Sequence, residues 1–424
     1  MEKINKIPVL LITGYLGSGK TTLLNRILTN QKGIRFAVIV NDIGEVNIDA
    51  SLIQKGGVVS QQDDSLVALQ NGCICCSLKM DLISQLHDLV KQRQTTSNDI
   101  KPCFDYIVIE ASGICEPAPI AQTLCSYAQM VPGFAQDGLP VLDCICSVVD
   151  ALRIRDEFEE QLMPKPTPTP KEEDLAALVI EQIEFCNLIL LNKASEVSED
   201  ELARIKSIIR AIQPAAEIIE TNFCDVDLEK LLNTRLFDFD RTATSAKWIQ
   251  EVEDAHHHHH EDEDEEDDED VTVSPDETGK TLDGKGHHHH DHDHDHEDHD
   301  HLAEFGIDTY VYFARKPFDL GMFDEFVAAH WPANVIRCKG MCYFAEEYDM
   351  CYLFEQAGRQ FNLRKAGEWF ATMPKEELMQ LMADDAQLRA DWDDQYGDRM
   401  QKLVFIGQHL DKPALKAALD NCLQ

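Results

Sequence analysis

The chain has 424 residues, 44% of them hydrophobic, and a formal net charge of −39 at pH 7. That length suits two domains, and so large a negative excess argues against nucleic acid or an anionic membrane as a partner. No apolar run reaches the roughly 18 residues of a membrane span, and the Val9-Leu10-Leu11-Ile12 segment is too short for a signal peptide. A cytoplasmic protein with its 14 cysteines reduced is expected.

Pro8-Val9-Leu10-Leu11-Ile12-Thr13 has the length and apolarity of a buried strand in a parallel sheet. It feeds into Gly14-Tyr15-Leu16-Gly17-Ser18-Gly19-Lys20-Thr21-Thr22, which satisfies the phosphate-loop pattern G-x-x-x-x-G-K-[ST] in full. Glycine is required where successive backbone N–H groups must point inward around phosphate oxygens. Leu23–Leu28 then reads as a helix whose N-terminal dipole adds to the anion site. Gly14, Gly17, Ser18, Gly19, Lys20, Thr21 and Thr22 are therefore candidate nucleotide-binding residues, with Lys20 directed at the β/γ-phosphates and the Thr21 hydroxyl at Mg²⁺.

Three thiols crowd into Asn71-Gly72-Cys73-Ile74-Cys75-Cys76-Ser77. Thiolates favour borderline and soft ions such as Zn²⁺. In an extended loop Cys73 and Cys75 point the same way, and Gly72 permits the turn that would bring in Cys76. Three sulfurs leave one position open, which suits a site that releases its ion; Glu45 and Asp42 are candidates for a further ligand. Competing readings are a redox dithiol, whose usual spacing is C-x-x-C, and cysteines acting as small apolar fillers. Cys144, Cys146, Cys186 and Cys422, in apolar surroundings, read as such fillers.

A second strand, Tyr106-Ile107-Val108-Ile109, ends in Glu110 and is followed by Ala111-Ser112-Gly113. An acidic residue there can hold Mg²⁺ directly or through water, and Gly113 can offer its N–H to a γ-phosphate. A third, Asn187–Leu191, leads into Asn192-Lys193-Ala194-Ser195, which resembles the N-K-x-D loop of guanine-specific P-loop proteins. Ser195 stands where the aspartate is expected, with Glu196 beside it. Candidate strands are 7–13, 35–40, 105–110, 143–149 and 187–191; Met163–Pro170 is an extended insertion, Ala176–Leu178 lies in a helix, and Leu202–Ile212 forms another.

Residues 251–301 carry 22 Asp or Glu against Lys280 and Lys285, and 14 of the 17 histidines. So little there is apolar that the stretch is expected to be a disordered linker. Imidazole and carboxylate suit Zn²⁺, Ni²⁺ and Co²⁺, so the tract is a candidate metal buffer, the plainer reading being a solvated spacer. Beyond it, Asp308–Phe313 reads as a strand, Phe323–Val327 as a helix, and strands begin at Val335 and Met350; Glu376–Ala383 is helical. Cys338, Cys342, Cys351, His330 and Trp331 read as core or surface residues. The expected fold is α/β: a P-loop NTPase domain with a mainly parallel sheet over 1–240, an acidic His-rich linker over 241–301, and a smaller α+β domain over 302–424.

These pieces occur in the order seen in the CobW-type metal-linked P-loop GTPases, and the resemblance covers nearly the whole chain. It is carried by Gly14–Thr22, Asn41-Asp42-Ile43-Gly44-Glu45, Cys73–Cys76, Glu110–Gly113, Glu181-Gln182-Ile183-Glu184, Asn192-Lys193, Arg337-Cys338-Lys339-Gly340 and Val404-Phe405-Ile406-Gly407. The resemblance implies hydrolysis of GTP with Mg²⁺, a Zn²⁺ or Co²⁺ site at Cys73, Cys75 and Cys76 between the switch regions, and delivery to a client metalloprotein. The departures are Ser195, and Glu116 where an aspartate is commoner. Lys20, Thr21, Glu110 and Glu45 are the candidate catalytic residues, Glu45 as the one orienting water. Rival readings are a passive metal store using the histidine tract, a cobalt chaperone or insertase linked to cobalamin synthesis, and a P-loop kinase.

Overall fold

The structure, a computed structural model, describes residues 5–29, 33–40, 68–69, 78–95, 104–131, 138–162, 175–244, 246, 305–358, 360–384, 388–389 and 392–424. The first domain is built on strands β1 (Lys6–Thr13), β2 (Phe36–Val40), β3 (Ala68–Leu69), β4 (Tyr106–Glu110), β5 (Leu139–Asp150), β6 (Leu188–Asn192) and β7 (Glu217–Glu220). They form one sheet in the order β3-β2-β4-β1-β5-β6-β7, and every pairing is parallel. Both faces of such a sheet are covered, so its central strands are apolar up to their polar last residues, Glu110 and Asn192: all five residues of β2, β4 and β6 are buried.

Helices α1 (Lys20–Leu28), α2 (Leu78–Thr95), α3 (Pro117–Met130), α4 (Ala151–Leu162), α5 (Leu175–Glu184) and α6 (Glu199–Ile212) supply the crossovers, and α7 (Phe239–Thr244) follows. α6 starts at Glu199 because Ser198 and Glu201 form a reciprocal capping box. α3 starts at Pro117, at a position where a missing N–H costs nothing. Because strands run parallel, the carboxyl ends of β1, β4, β5 and β6 lie along one edge. Ile12 is paired with Glu110, and Asp150 with Asn192. In open α/β sheets this is the edge that binds ligands.

The second domain contains β8 (Ile307–Ala314), α8 (Leu320–Ala329), β9 (Val335–Phe344), β10 (Glu347–Ala357), β11 (Gln360–Glu368), α9 (Lys375–Asp384), β12 (Gln401–Gln408) and α10 (Lys412–Asp420). Its sheet, ordered β11-β10-β9-β12-β8, is antiparallel. One face packs Phe354, Leu403 and Phe405 against Phe323 and Phe326 of α8 and Leu415 and Leu419 of α10. Cys338, Cys342 and Cys422 are buried in that core, as expected of fillers, and Cys144, Cys146 and Cys186 are buried in the first domain. The opposite face contributes Ile307, Ala357 and Ile406 to the core of the first domain. The expected fold class, a P-loop-type α/β domain with a parallel sheet followed by a smaller α+β domain, is thus present, and the two share apolar packing. No described helix is long and apolar enough to cross a membrane.

Candidate functional site

The site grows from the turn between β1 and α1. Gly14, Gly17 and Gly19 all adopt positive φ, at 134°, 80° and 117°. At Gly19 a side chain is excluded by space as well: a Cβ would lie 2.5 Å from Asn192 Nδ2. Ser18 N–H donates to Tyr15 O at 3.2 Å and Lys20 Nζ to the same oxygen at 3.1 Å, so the ammonium is drawn over the loop. Ser18 Oγ is buried with no hydrogen-bond partner among the described residues. No side chain caps α1. Its first-turn N–H groups, the ammonium and the orphaned hydroxyl together fit the oxygens of a polyphosphate.

Thr21 begins the first turn of α1, and its hydroxyl donates to Glu110 Oε1 at 3.1 Å. Glu110 is 2% exposed. These are two hard oxygen donors of the kind Mg²⁺ prefers, brought side by side by the pairing of β1 with β4. Gly113, three residues beyond Glu110, is buried against the phosphate loop; a Cβ there would come within 2.8 Å of Leu16 N. Thr22, by contrast, is exposed.

Asn192 ends β6 and binds the loops together. Its Nδ2 donates to Ser18 O at 2.8 Å, and its Oδ1 accepts from Cys224 N–H at 3.0 Å. Burial pushes the Cys224 thiol up to about 12, so it stays protonated and donates to Gly19 O at 3.4 Å. Lys193, at φ 60°, is held by Asp150 at 2.5 Å. Ser195 donates from both N–H and Oγ to Asn222 Oδ1, at 2.9 and 2.8 Å. Arg26 of α1 fastens the same neighbourhood by donating to Phe223 O and pairing with Asp225 at 2.6 Å. Phe223 itself is 75% exposed.

Lys20, Thr21, Glu110, Gly113, Asn192 and Lys193 therefore meet at one edge of the sheet. Asp42, Glu45, Cys73, Cys75, Cys76 and the histidine tract lie outside the described residues. Sequence reasoning missed Asp150 and the Thr221–Asp225 loop, and it named Gln182 only within a family motif, without the role the structure shows, donation to Gly113 O and Cys115 O. Asp150 and Thr221 carried a usable signal, since each ends or follows a parallel strand on the ligand-binding edge.

Residues 8–220 match the CobW/HypB/UreG nucleotide-binding domain, and residues 307–423 match the cobalamin synthesis protein cobW C-terminal domain. The chain belongs to the CobW family. It is 30% identical over 434 residues to the zinc-regulated GTPase metalloprotein activator 1 of Dictyostelium discoideum, covering 99% of this chain and 80% of that relative. It is 30% identical to the zinc chaperone CobW of Pseudomonas aeruginosa over 55% of this chain and 61% of the relative. The zinc chaperone YjiA of Escherichia coli is 31% identical over 58% of this chain and 66% of its own length. Within this CobW-family domain, the phosphate loop, Glu110 and Asn192 are the elements that converge.

Proposed function

We propose that the chain is a GTP-hydrolysing metallochaperone that binds zinc and passes it to a client metalloprotein. The contact between Thr21 and Glu110 at the end of adjacent parallel strands carries the reading, because it joins a full phosphate loop to an acidic partner. The names of the relatives, zinc-regulated GTPase metalloprotein activator and zinc chaperone, support it.

In this reading Gly14–Gly19 and the α1 N-terminus wrap the phosphates while Lys20 neutralises the β/γ oxygens. Thr21 and Glu110 would hold Mg²⁺, which would supply positive charge beside the phosphates. Asn192 and Lys193 meet the base, with Ser195 in the position of the usual aspartate. Glu45 orients water, and Gly113 senses the γ-phosphate. The main chain enters the Cys73–Cys76 stretch from β3, whose carboxyl end lies on the phosphate-loop edge, and re-emerges in α2. That topology supports a zinc site at Cys73, Cys75 and Cys76 whose affinity follows the nucleotide. The linker expected over 241–301 then acts, beyond α7 and Ala246, as a tether and buffer between the two domains.

A reducing cytoplasmic location is consistent with the ten described cysteines, all free thiols. Phosphate release by the wild-type chain with GTP, ATP and Mg²⁺ tests the enzymatic half of the proposal. GTP-selective turnover is expected; a chain that binds zinc without turnover would instead be a passive store.

A further inference from the structure

Helix α5 is bonded in two directions. Gln182, 1% exposed, donates from Nε2 to Gly113 O and to Cys115 O, both at 3.3 Å. Those carbonyls belong to the loop that follows Glu110, and Gly113 lies directly against Leu16 of the phosphate loop. Two residues further along α5, Glu184 accepts Arg337 Nε and Nη2, each at 2.8 Å. The side chains of this pair are only 2% and 8% exposed. Gln213 Nε2 fixes the helix end by donating to Glu184 O at 2.6 Å. Arg337 sits in β9, in the sheet of the second domain.

We propose that Gln182 is a positioning residue for GTP hydrolysis, and that α5 links its hold on the Gly113 loop to docking of the second domain through Glu184 and Arg337. The proposal rests on the chain being a GTPase. Its physical basis is that neither end can loosen cheaply. Backbone carbonyls buried without a donor are unfavourable, and a buried ion pair parted from its partner is strongly so. A packed helix joining two such contacts moves as a body, so a shift of the loop on γ-phosphate loss must be absorbed at β9 or resisted by it. Glu116, at the far end of the same loop, acts on α5 through its charge. Burial, then the Glu116 charge, raise the neighbouring Glu181 to about 7. Beside α5 a cleft of about 460 Å³, lined by Glu181, Arg337, Glu355 and Phe361, leaves the helix room to shift. By linkage, what the loop does to the second domain the second domain does to the loop.

The test uses the full chain and two changes. Gln182→Met removes the amide and keeps the volume. Glu184→Met with Arg337→Met removes the ion pair without leaving a lone buried charge. Single-turnover hydrolysis, GDP affinity and thermal melting are measured for each and for both combined. Amide hydrogen exchange of 335–341 is compared with GDP and with a non-hydrolysable GTP analogue. Both variants should slow hydrolysis about fivefold or more while GDP affinity stays within about twofold, and the combination should be no slower than the worse variant. The wild type should show nucleotide-dependent exchange at 335–341 that both variants lose.

Normal hydrolysis in a folded Gln182→Met protein, parallel loss of hydrolysis and GDP affinity, or multiplying effects would overturn the proposal. If a variant does not fold, the wild-type exchange decides: no nucleotide-dependent difference at 335–341 would also overturn it. A wild-type chain that binds GTP but never hydrolyses it would remove the GTPase reading, a result distinct from all of these.

Discussion

Thr21 and Glu110 are 89 positions apart, yet they share a hydrogen bond because β1 and β4 are adjacent and end together. A carboxylate placed there holds a divalent cation by charge; the isosteric amide does not. Glu110→Gln should therefore leave the fold intact and lower Mg²⁺-dependent GTP hydrolysis by about a hundredfold, read as phosphate release. Ser195 poses a different question. A serine offers guanine no carboxylate for its N1–H and amino group, and this hydroxyl is committed to Asn222. Ser195→Asp supplies one, and a charge-assisted hydrogen bond is worth about 1.5–3 kcal/mol. GTP should then gain about tenfold or more over ATP in competition against a fluorescent GDP. An unchanged ratio would mean that the loop does not face that edge of the base.

At the scale of elements, the contact between α5 and β9 dominates. Arg337 is buried, and although burial opposes its charge, Glu184 and Glu355 outweigh that and raise its pKa. Arg337→Met alone strands Glu184 and should destabilise the chain by about 3–5 kcal/mol in urea unfolding, whereas the paired change to methionine should be close to neutral. Glu181 on the same helix gives a pH signature. Its folded pKa of about 7 lies above the ordinary carboxylate value, so the native state binds the proton more tightly than the unfolded chain. Stability from this group is thus present at low pH and falls as pH rises from about 4.5 to about 7. Glu181→Gln should flatten that part of the stability profile and melt higher than wild type at pH 8. Partial exposure of the group keeps the difference small.

Elements were legible where local chemistry decided them. Tyr106–Glu110 is apolar until its final carboxylate, and Ser198 with Glu201 announces a helix start. β7 escaped notice because Glu217-Ile218-Ile219-Glu220 is short and lies at the sheet edge. β11 escaped because eight of its nine residues are exposed, leaving no alternation to read. α3 was hidden by its prolines, which open the helix. The site was half legible. The phosphate loop, Glu110 and Asn192 sit in motifs, but the grip of Gln182 on Gly113 and of Glu184 on Arg337 depends on how distant segments pack.

For the whole molecule, the second domain completes the core of the first through Ile307, Ala357 and Ile406. The two cannot move apart without exposing that surface, so small shifts of α5 are the cheaper response to nucleotide. In the proposed function the acidic histidine tract between them is a separate metal buffer. Deleting 255–301 should lower the total zinc bound per chain by about one ion or more, while leaving GTP turnover unchanged, measured by metal analysis after dialysis. The proposed function requires above all that nucleotide control the cysteine site. The direct measurement is zinc affinity of the 255–301 deletion, by chelator competition, with a GTP analogue and then with GDP. A difference of about fivefold or more is expected, and it should disappear when Cys73, Cys75 and Cys76 are changed to serine. Equal zinc affinity in the two nucleotide states would contradict it.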